Sequence, residues 1–295
     1  MDNRNEVREF LTSRRARLTP EQAGLASYGG SDRRVPGLRR EEVALLAGVS
    51  VDYYTRFERG NLAGASESVL DALARALQLD EAEQEHLADL ARAANAGSSP
   101  RLRRRTAKQD VPASVRRILD SMVGVPAFVR NGRLDILAIN PLGRALYSEA
   151  FGNAASRVNL ARFAFLDHRS HNLYPDWDEA ADTAVALLHT EAGRDPFDKA
   201  LTELIGELST RSDDFRTRWG RHEVRLHRTG TKAFRHQVVG ELRLPFDAME
   251  LPSQPGLTLT AYTPEPGSRE EDALKLLASW ATTEALTSGP SPVRE

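Results

Sequence analysis

Residues 40–60 read Arg-Glu-Glu-Val-Ala-Leu-Leu-Ala-Gly-Val-Ser-Val-Asp-Tyr-Tyr-Thr-Arg-Phe-Glu-Arg-Gly, and this pattern admits few backbone solutions. Two short helices can cross closely over a sharp turn only under steric conditions. The residue at the crossing must be small, and Ala44 is. The turn residue must tolerate a left-handed backbone, and Gly48 does. The flanking positions must pack inward, and Val49 and Phe57 are apolar. Ser50 then caps the second helix and leaves its first turn open. Tyr54 stands where a branched aliphatic residue is commoner; an aromatic fits if its hydroxyl reaches solvent or a partner. The spacing predicts helices over 39–47 and 51–59.

Helical periodicity surrounds this pair, with one apolar side per segment over 4–17, 66–77 and 80–94. Ser66 and Asp80 are expected N-caps, with Glu83 completing a capping box after Asp80. The segment 19–37 holds two Pro and four Gly and reads as a loop. Five helices with this central pair resemble the lambda-repressor/Cro-like, or XRE, family over residues 4–94. The resemblance implies that the second helix of the pair enters the major groove of double-stranded DNA. Val51, Asp52, Tyr53 and Arg56 would then meet base edges, and Arg33, Arg34, Arg39, Arg40 and Ser50 would meet phosphates. The local charge agrees: residues 1–60 carry 11 Arg against 9 acids, whereas residues 61–100 carry 2 Arg against 7 acids. A solvated surface charge is the competing role for Arg33 and Arg34.

Composition changes near residue 97. Asn95-Ala-Gly-Ser-Ser-Pro100 reads as a linker, and Arg101, Arg103, Arg104, Arg105 and Lys108 follow it. Those cations either trail along phosphates or form a solvated spacer. The expected organisation is a helix-turn-helix domain over 1–95, a linker over 96–111, a second domain over 112–287 and a disordered tail over 288–295. In the second domain a helix over 112–122 precedes strands at 125–129 and 133–139, joined through Asn131-Gly132 as a tight hairpin. A helix starts at Asn140-Pro141, another is capped by Asp176, and another opens at Asp195-Pro196. Strands are predicted at 222–228, 234–244 and 257–263 by period-two alternation, and Ser268 caps a last helix. The fold class is therefore an all-α five-helix domain followed by an α+β, PAS-like domain with an antiparallel sheet.

Several phrases carry a second resemblance: Asp120-Ser-Met-Val-Gly-Val-Pro-Ala-Phe-Val129, Asn140-Pro-Leu-Gly-Arg-Ala-Leu-Tyr147 and Asn159-Leu-Ala-Arg-Phe163. Tyr174-Pro-Asp-Trp177, Glu207-Leu-Ser-Thr-Arg-Ser212 and Gly230-Thr-Lys232 extend it. They resemble the MmyB-like ligand-binding domain found behind XRE domains, over most of 112–286. One departure is Gln237, where the resemblance leads one to expect proline. The resemblance implies a long-chain fatty acid or similar small apolar ligand. Phe128, Ile136, Phe163, Phe165, Trp177, Leu188 and Phe234 are candidate pocket liners, although plain core is the commoner role for any one of them. For an acidic head group the chain offers Arg144, Arg162, Tyr147, Tyr174 and Asn140, a buried arginine being the natural carboxylate anchor. Asn140 competes as a helix cap.

Composition excludes other classes. The absence of cysteine rules out disulfides, iron–sulfur clusters, Cys-ligated zinc and a cysteine nucleophile. A net charge of −2 gives no global pull to polyanions. The first residues lack a signal-like apolar run, and no apolar stretch is long enough for a membrane span, so cytoplasmic localisation is expected. His168 and His171 flank a loop beside Asp167 with nothing nearby to complete a metal site, and His222, His227 and His236 fall on neighbouring predicted strands. No nucleophile elbow, Walker loop or dinucleotide fingerprint occurs. No enzyme activity, cofactor or metal is expected beyond a possible bound fatty acid. The sequence thus reads as a sequence-specific, ligand-responsive transcription regulator acting as a homodimer. The alternative is a DNA-binding scaffold whose second domain only mediates dimerisation or protein contacts; an enzyme under DNA-binding control is the third reading.

Overall fold

The computed structural model describes residues 3–25, 35, 37–95, 110–152, 158–223 and 227–287, with 284–287 as backbone only. It divides into two compact units. One draws on Met1–Arg104 and Val185–Leu226, the other on Arg105–Ala184 and His227–Glu295.

The first unit opens with the five expected helices: α1 (Asn3–Arg17), α2 (Arg40–Ala47), α3 (Val51–Glu58), α4 (Glu67–Ala76) and α5 (Glu81–Asn95). Their apolar sides meet in one core that includes Val7, Phe10, Leu11, Val43, Ala44, Tyr54, Phe57, Leu73, Leu87 and Leu90. Gly48 ends α2 in the left-handed conformation at φ 65° and ψ 33°, so the chain reverses there at little steric cost. Asp80 and Glu83 form the reciprocal capping box: Glu83 N–H donates to Asp80 Oδ1 at 2.9 Å and Asp80 N–H donates to Glu83 Oε2 at 3.1 Å. Ser66 occupies the N-cap position of α4 without a side-chain cap bond; its hydroxyl pairs with that of Ser68.

The chain continues through α6 (Ala113–Ser121), β1 (Ala127–Asn131), β2 (Ile136–Ile139), α7 (Pro141–Leu146), α8 (Ser148–Phe151), α9 (Leu160–Leu166) and α10 (Ser170–Leu173). Then come α11 (Trp177–Arg194), α12 (Lys199–Arg211), α13 (Asp213–Trp219), β3 (Thr229–His236), β4 (Gly240–Glu250), β5 (Leu257–Tyr262) and α14 (Arg269–Thr287). The five strands form one antiparallel sheet in the order β2-β1-β5-β4-β3, the α+β, PAS-like arrangement expected. The boundary between the units falls inside α11, between Ala184 and Val185, so α12 and α13 belong to the unit that holds the first five helices.

Four local expectations need correction. The Asn131-Gly132 turn is not a two-residue hairpin. It widens to Asp135, because the Asn131 side chain accepts from Asp135 N–H at 2.9 Å and donates to Asp135 Oδ2 at 2.8 Å. The left-handed residue there is Leu134, at φ 67°. The run 234–244 is not one strand: it folds back between His236 and Gly240, the latter at φ 75°. Alternation persists on both sides of that turn, which hides it from a periodicity reading. The segment 222–228 supplies no strand among its described residues; Val224 and Leu226 lie outside them. The helix expected at Asp195-Pro196 begins later, where Asp198 accepts from Ala200 and Leu201 N–H.

Candidate DNA-reading face and ligand-binding core

Ser50 caps α3 by accepting from Tyr53 N–H at 3.1 Å. The first turn of α3 is left open: Val51 is 46% exposed and Asp52 is also exposed, with Tyr53 and Arg56 half-buried beside them. Arg56 is pre-positioned. Its guanidinium lies over the Tyr53 ring at 4.7 Å and donates to Ala63 O at 3.0 Å. These are bonds that a base edge would have to replace. Arg39 precedes α2, its backbone N–H bonded to Glu42 at 2.6 Å, with an exposed side chain near Glu41. Arg33 and Arg34 lie outside the described residues, as do the linker cations 101–108.

The helix pair is locked by a polar element buried behind it. Tyr54 is fully buried, and its hydroxyl donates to Glu58 Oε1 at 3.0 Å. Arg15 donates to the same carboxylate oxygen and Arg40 to the other. Burial acts to raise the Glu58 carboxyl, but the two guanidiniums outweigh it and hold the group below the usual carboxylate range. An aromatic at position 54 is thus tolerated because its hydroxyl finds an anion. Arg40, read from sequence as a phosphate ligand, has Glu58 as its partner while remaining half-exposed.

In the second unit Phe128, Ile136, Tyr147, Phe163, Tyr174 and Phe234 share one core with Leu244, Phe246 and Tyr262. The hydroxyls of Tyr147 and Tyr262 meet at 2.6 Å, and burial pushes the Tyr147, Tyr174 and Tyr262 phenols up, so all three stay neutral. Phe165 and Trp177 pair edge to face, with His171 stacked on Trp177. Leu188 is buried in the other unit. Arg144 and Arg162 stand exposed, the former over Phe151, so neither is a buried anchor. The buried arginine is Arg130, 7% exposed on β1. Lys232, on β3, holds its ammonium 4.5 Å from the Tyr174 ring and 5.9 Å from Phe234. Burial pushes Lys232 down to about 8; Glu179 opposes that shift and Arg130 adds to it. Burial, with Lys232 and Arg130, also depresses His227, to about 3. The covered Arg130 and the ring-facing Lys232 were missed in the sequence because period two alone does not say which strand face is covered.

Asn140 is consumed by structure. It accepts from Gly143 N–H at 2.7 Å and Ala127 N–H at 3.0 Å, and donates to Met122 O and Val125 O. Asn159 likewise accepts from Arg162 N–H and donates to Arg133 O and Asp135. Gln237 sits in the β3–β4 turn and bonds Glu149. The loop histidines form no group: His168 is exposed, and Asp167 is engaged bidentately by Arg169. His222, His227 and His236 do not gather on the sheet. His236 ends β3 with Nε2 near Ala145 O and Ser148, whereas His222 lies in the first unit, close to Glu6, Glu9 and His189. Glu6, His86 and His189 give no local signal in the sequence.

A capped, open helix among the five helices α1–α5, together with a five-stranded α+β domain, is the layout of a transcription regulator with DNA-binding and ligand-binding parts. Residues 111–277 match the family model of the MmyB-like transcription regulator ligand binding domain, and residues 6–87 match a helix-turn-helix domain. The chain belongs to the MmyB-like transcription regulator family. No curated protein matches it. Both matched families are those of regulators rather than enzymes, and among the described residues no helix is long and apolar enough to cross a membrane.

Proposed function

We propose that this regulator binds a specific operator as a homodimer in the cytoplasm and senses a small amphiphile such as a long-chain fatty acid. The open first turn of α3, with Val51 and Asp52 exposed beyond the Ser50 cap, supports the DNA reading above all. A single such helix offers few base contacts, so two copies reading half-sites about 34 Å apart supply the specificity. Arg56 and Asp52 read bases, Val51 and Tyr53 pack against them, and Arg33, Arg34, Arg39, Arg40 and Ser50 hold phosphates. In a selection from random DNA, Arg56→Ala is expected to relax preference at one base pair per half-site, a loss of about 1–3 kcal/mol of discrimination. Arg40→Ala should weaken binding to all sequences alike. Unchanged selection and affinity in both variants would remove the assignment.

Lys232, set against Tyr174 and Phe234, with the buried Arg130 acting on it electrostatically, supports an anionic head group with an apolar tail. Palmitate binding, followed by thermal shift on the full chain, is expected to fall roughly 10–100-fold in Lys232→Met. With the Lys232 ammonium pushed down to about 8, its charge is complete well below pH 8 and is lost progressively as pH rises through it, so affinity is expected to decline over that range. A flat pH profile would exclude Lys232 as the anchor. The scaffold alternative draws on the hydroxyl pair of Tyr147 and Tyr262, which satisfies that part of the core internally. Native mass spectrometry decides: a co-purifying lipid supports sensing, and an empty domain indifferent to every lipid supports the scaffold.

A further inference from the structure

Inside the first unit three long-separated segments bring their donors to one buried point. Glu6 lies on α1, His189 on α11, and His222 in the turn after α13. Glu6 Oε1 is 3.2 Å from His189 Nδ1 and 3.8 Å from His222 Nδ1. One donor atom from each residue lies within 4.8 Å of the others, and all three residues are buried.

The far nitrogens fix the tautomers. His189 Nε2 is 3.0 Å from Trp219 O, which can only accept, so Nε2 carries the proton and donates. His222 Nε2 is 3.1 Å from Glu9 Oε2, a carboxylate oxygen, and donates likewise. In the neutral rings both Nδ1 atoms then present lone pairs to a carboxylate that also offers only lone pairs. A proton can bridge one such pair. It leaves the rest, and His222 Nδ1 and Glu6 Oε2 indeed have no hydrogen-bond partner. A single cation satisfies all three donors.

We propose that Glu6, His189 and His222 form a binding site for one divalent transition-metal ion of the zinc class. Two imidazoles and a carboxylate are borderline donors suited to such an ion. Metal–ligand bonds of about 2.0–2.1 Å hold neighbouring ligand atoms roughly 3.3 Å apart in a tetrahedron; Glu6 lies 3.2 Å from His189 and 3.8 Å from His222, so a small contraction seats the ion. Each histidine also donates its N–H, at Nε2, to a carbonyl or carboxylate, the outer arrangement that orients metal-ligating imidazoles. The His222 turn is pinned: Arg14 donates to His222 O, His222 N–H donates to Trp219 O, and His222 itself is left-handed at φ 52°. His86 completes the surroundings. Its ring occupies the space left by Gly193, where a Cβ would come within 2.6 Å of it, and neither ring nitrogen has a hydrogen-bond partner. His86 Nε2 lies 3.9 Å from Glu6 Oε1, outside the three-residue cluster itself. A water is the natural fourth ligand. The ion ties the start of α1 to α11 and the turn after α13.

Untagged full-length protein, stripped with chelator, is titrated with Zn²⁺ by calorimetry and with Co²⁺ by visible spectroscopy. One ion per chain is expected, with low-coordinate Co²⁺ bands and a melting midpoint raised by about 5–10 °C at a hundredfold excess over Kd. Glu6→Gln and His222→Gln should each weaken binding at least about 100-fold, while His171→Gln, altering an exposed ring, leaves it unchanged. If those core variants fail to fold, Glu9→Ala, which removes the acceptor of His222 Nε2, is expected to cost about tenfold. Absence of stoichiometric binding in the native chain overturns the site, as does equal binding in the native chain, Glu6→Gln and Glu9→Ala.

Discussion

Gly60→Ala is expected to destabilise the helix-turn-helix unit by about 3–5 kcal/mol and to abolish DNA binding at 37 °C. Two costs coincide there. Gly60 has φ 88°, a conformation that L side chains rarely adopt. Its Cβ would also fall 2.2 Å from Arg4 O and 2.7 Å from Arg4 C, both backbone atoms of α1. No side-chain rotation relieves that clash, so α1 must withdraw from α3 and open a core containing Phe10, Leu11 and Phe57. Gly64→Ala is the control. Gly64 has φ 74° but nothing within 4 Å of a built Cβ, so only backbone strain remains, about 1–2 kcal/mol. Urea denaturation of both variants checks the difference; equal losses would show that α1 does not rest on Gly60.

Asn140→Ala is expected to cost about 3–5 kcal/mol in the second unit. One side chain joins the start of α7, the start of β1 and the segment leading into it through four hydrogen bonds. Removing it loses a helix cap and strands Ala127 N–H and two carbonyls, some of them away from water. Asn140→Asp should not rescue it, because a carboxylate keeps the two accepted bonds but faces Met122 O and Val125 O with no donor. Differential scanning calorimetry resolves this loss, and a shift below about 1 kcal/mol in Asn140→Ala would mean that water replaces the amide.

The two phrases of the ligand-binding resemblance that begin with asparagine gain a physical meaning here. Asn140 and Asn159 each cap a helix through Oδ1 while their amide nitrogens bond carbonyls elsewhere in the sequence. The cap of Asn140 was legible beforehand because a cap is a relation across three residues. Its bonds back to residues 122 and 125 were not, since they depend on how the hairpin returns. Pocket assignment suffered most. Arg144 and Arg162 look like any other arginine in the string, and only the packed helices reveal them as exposed while Arg130 is covered.

The sequence by itself determined what arises within one or two turns of chain: the five helices, the left-handed reversal at Gly48, the caps at Ser50 and Asp80, and the alternation of β5. Local sterics and short-range hydrogen bonds set these, and they do not wait for distant partners. Tertiary structure alone decided the partner of Tyr54, the turn hidden between β3 and β4, the covering of Lys232, and the meeting of Glu6 with His189 across 183 residues of chain. Those depend on which faces come together, a property of packing that no local pattern encodes.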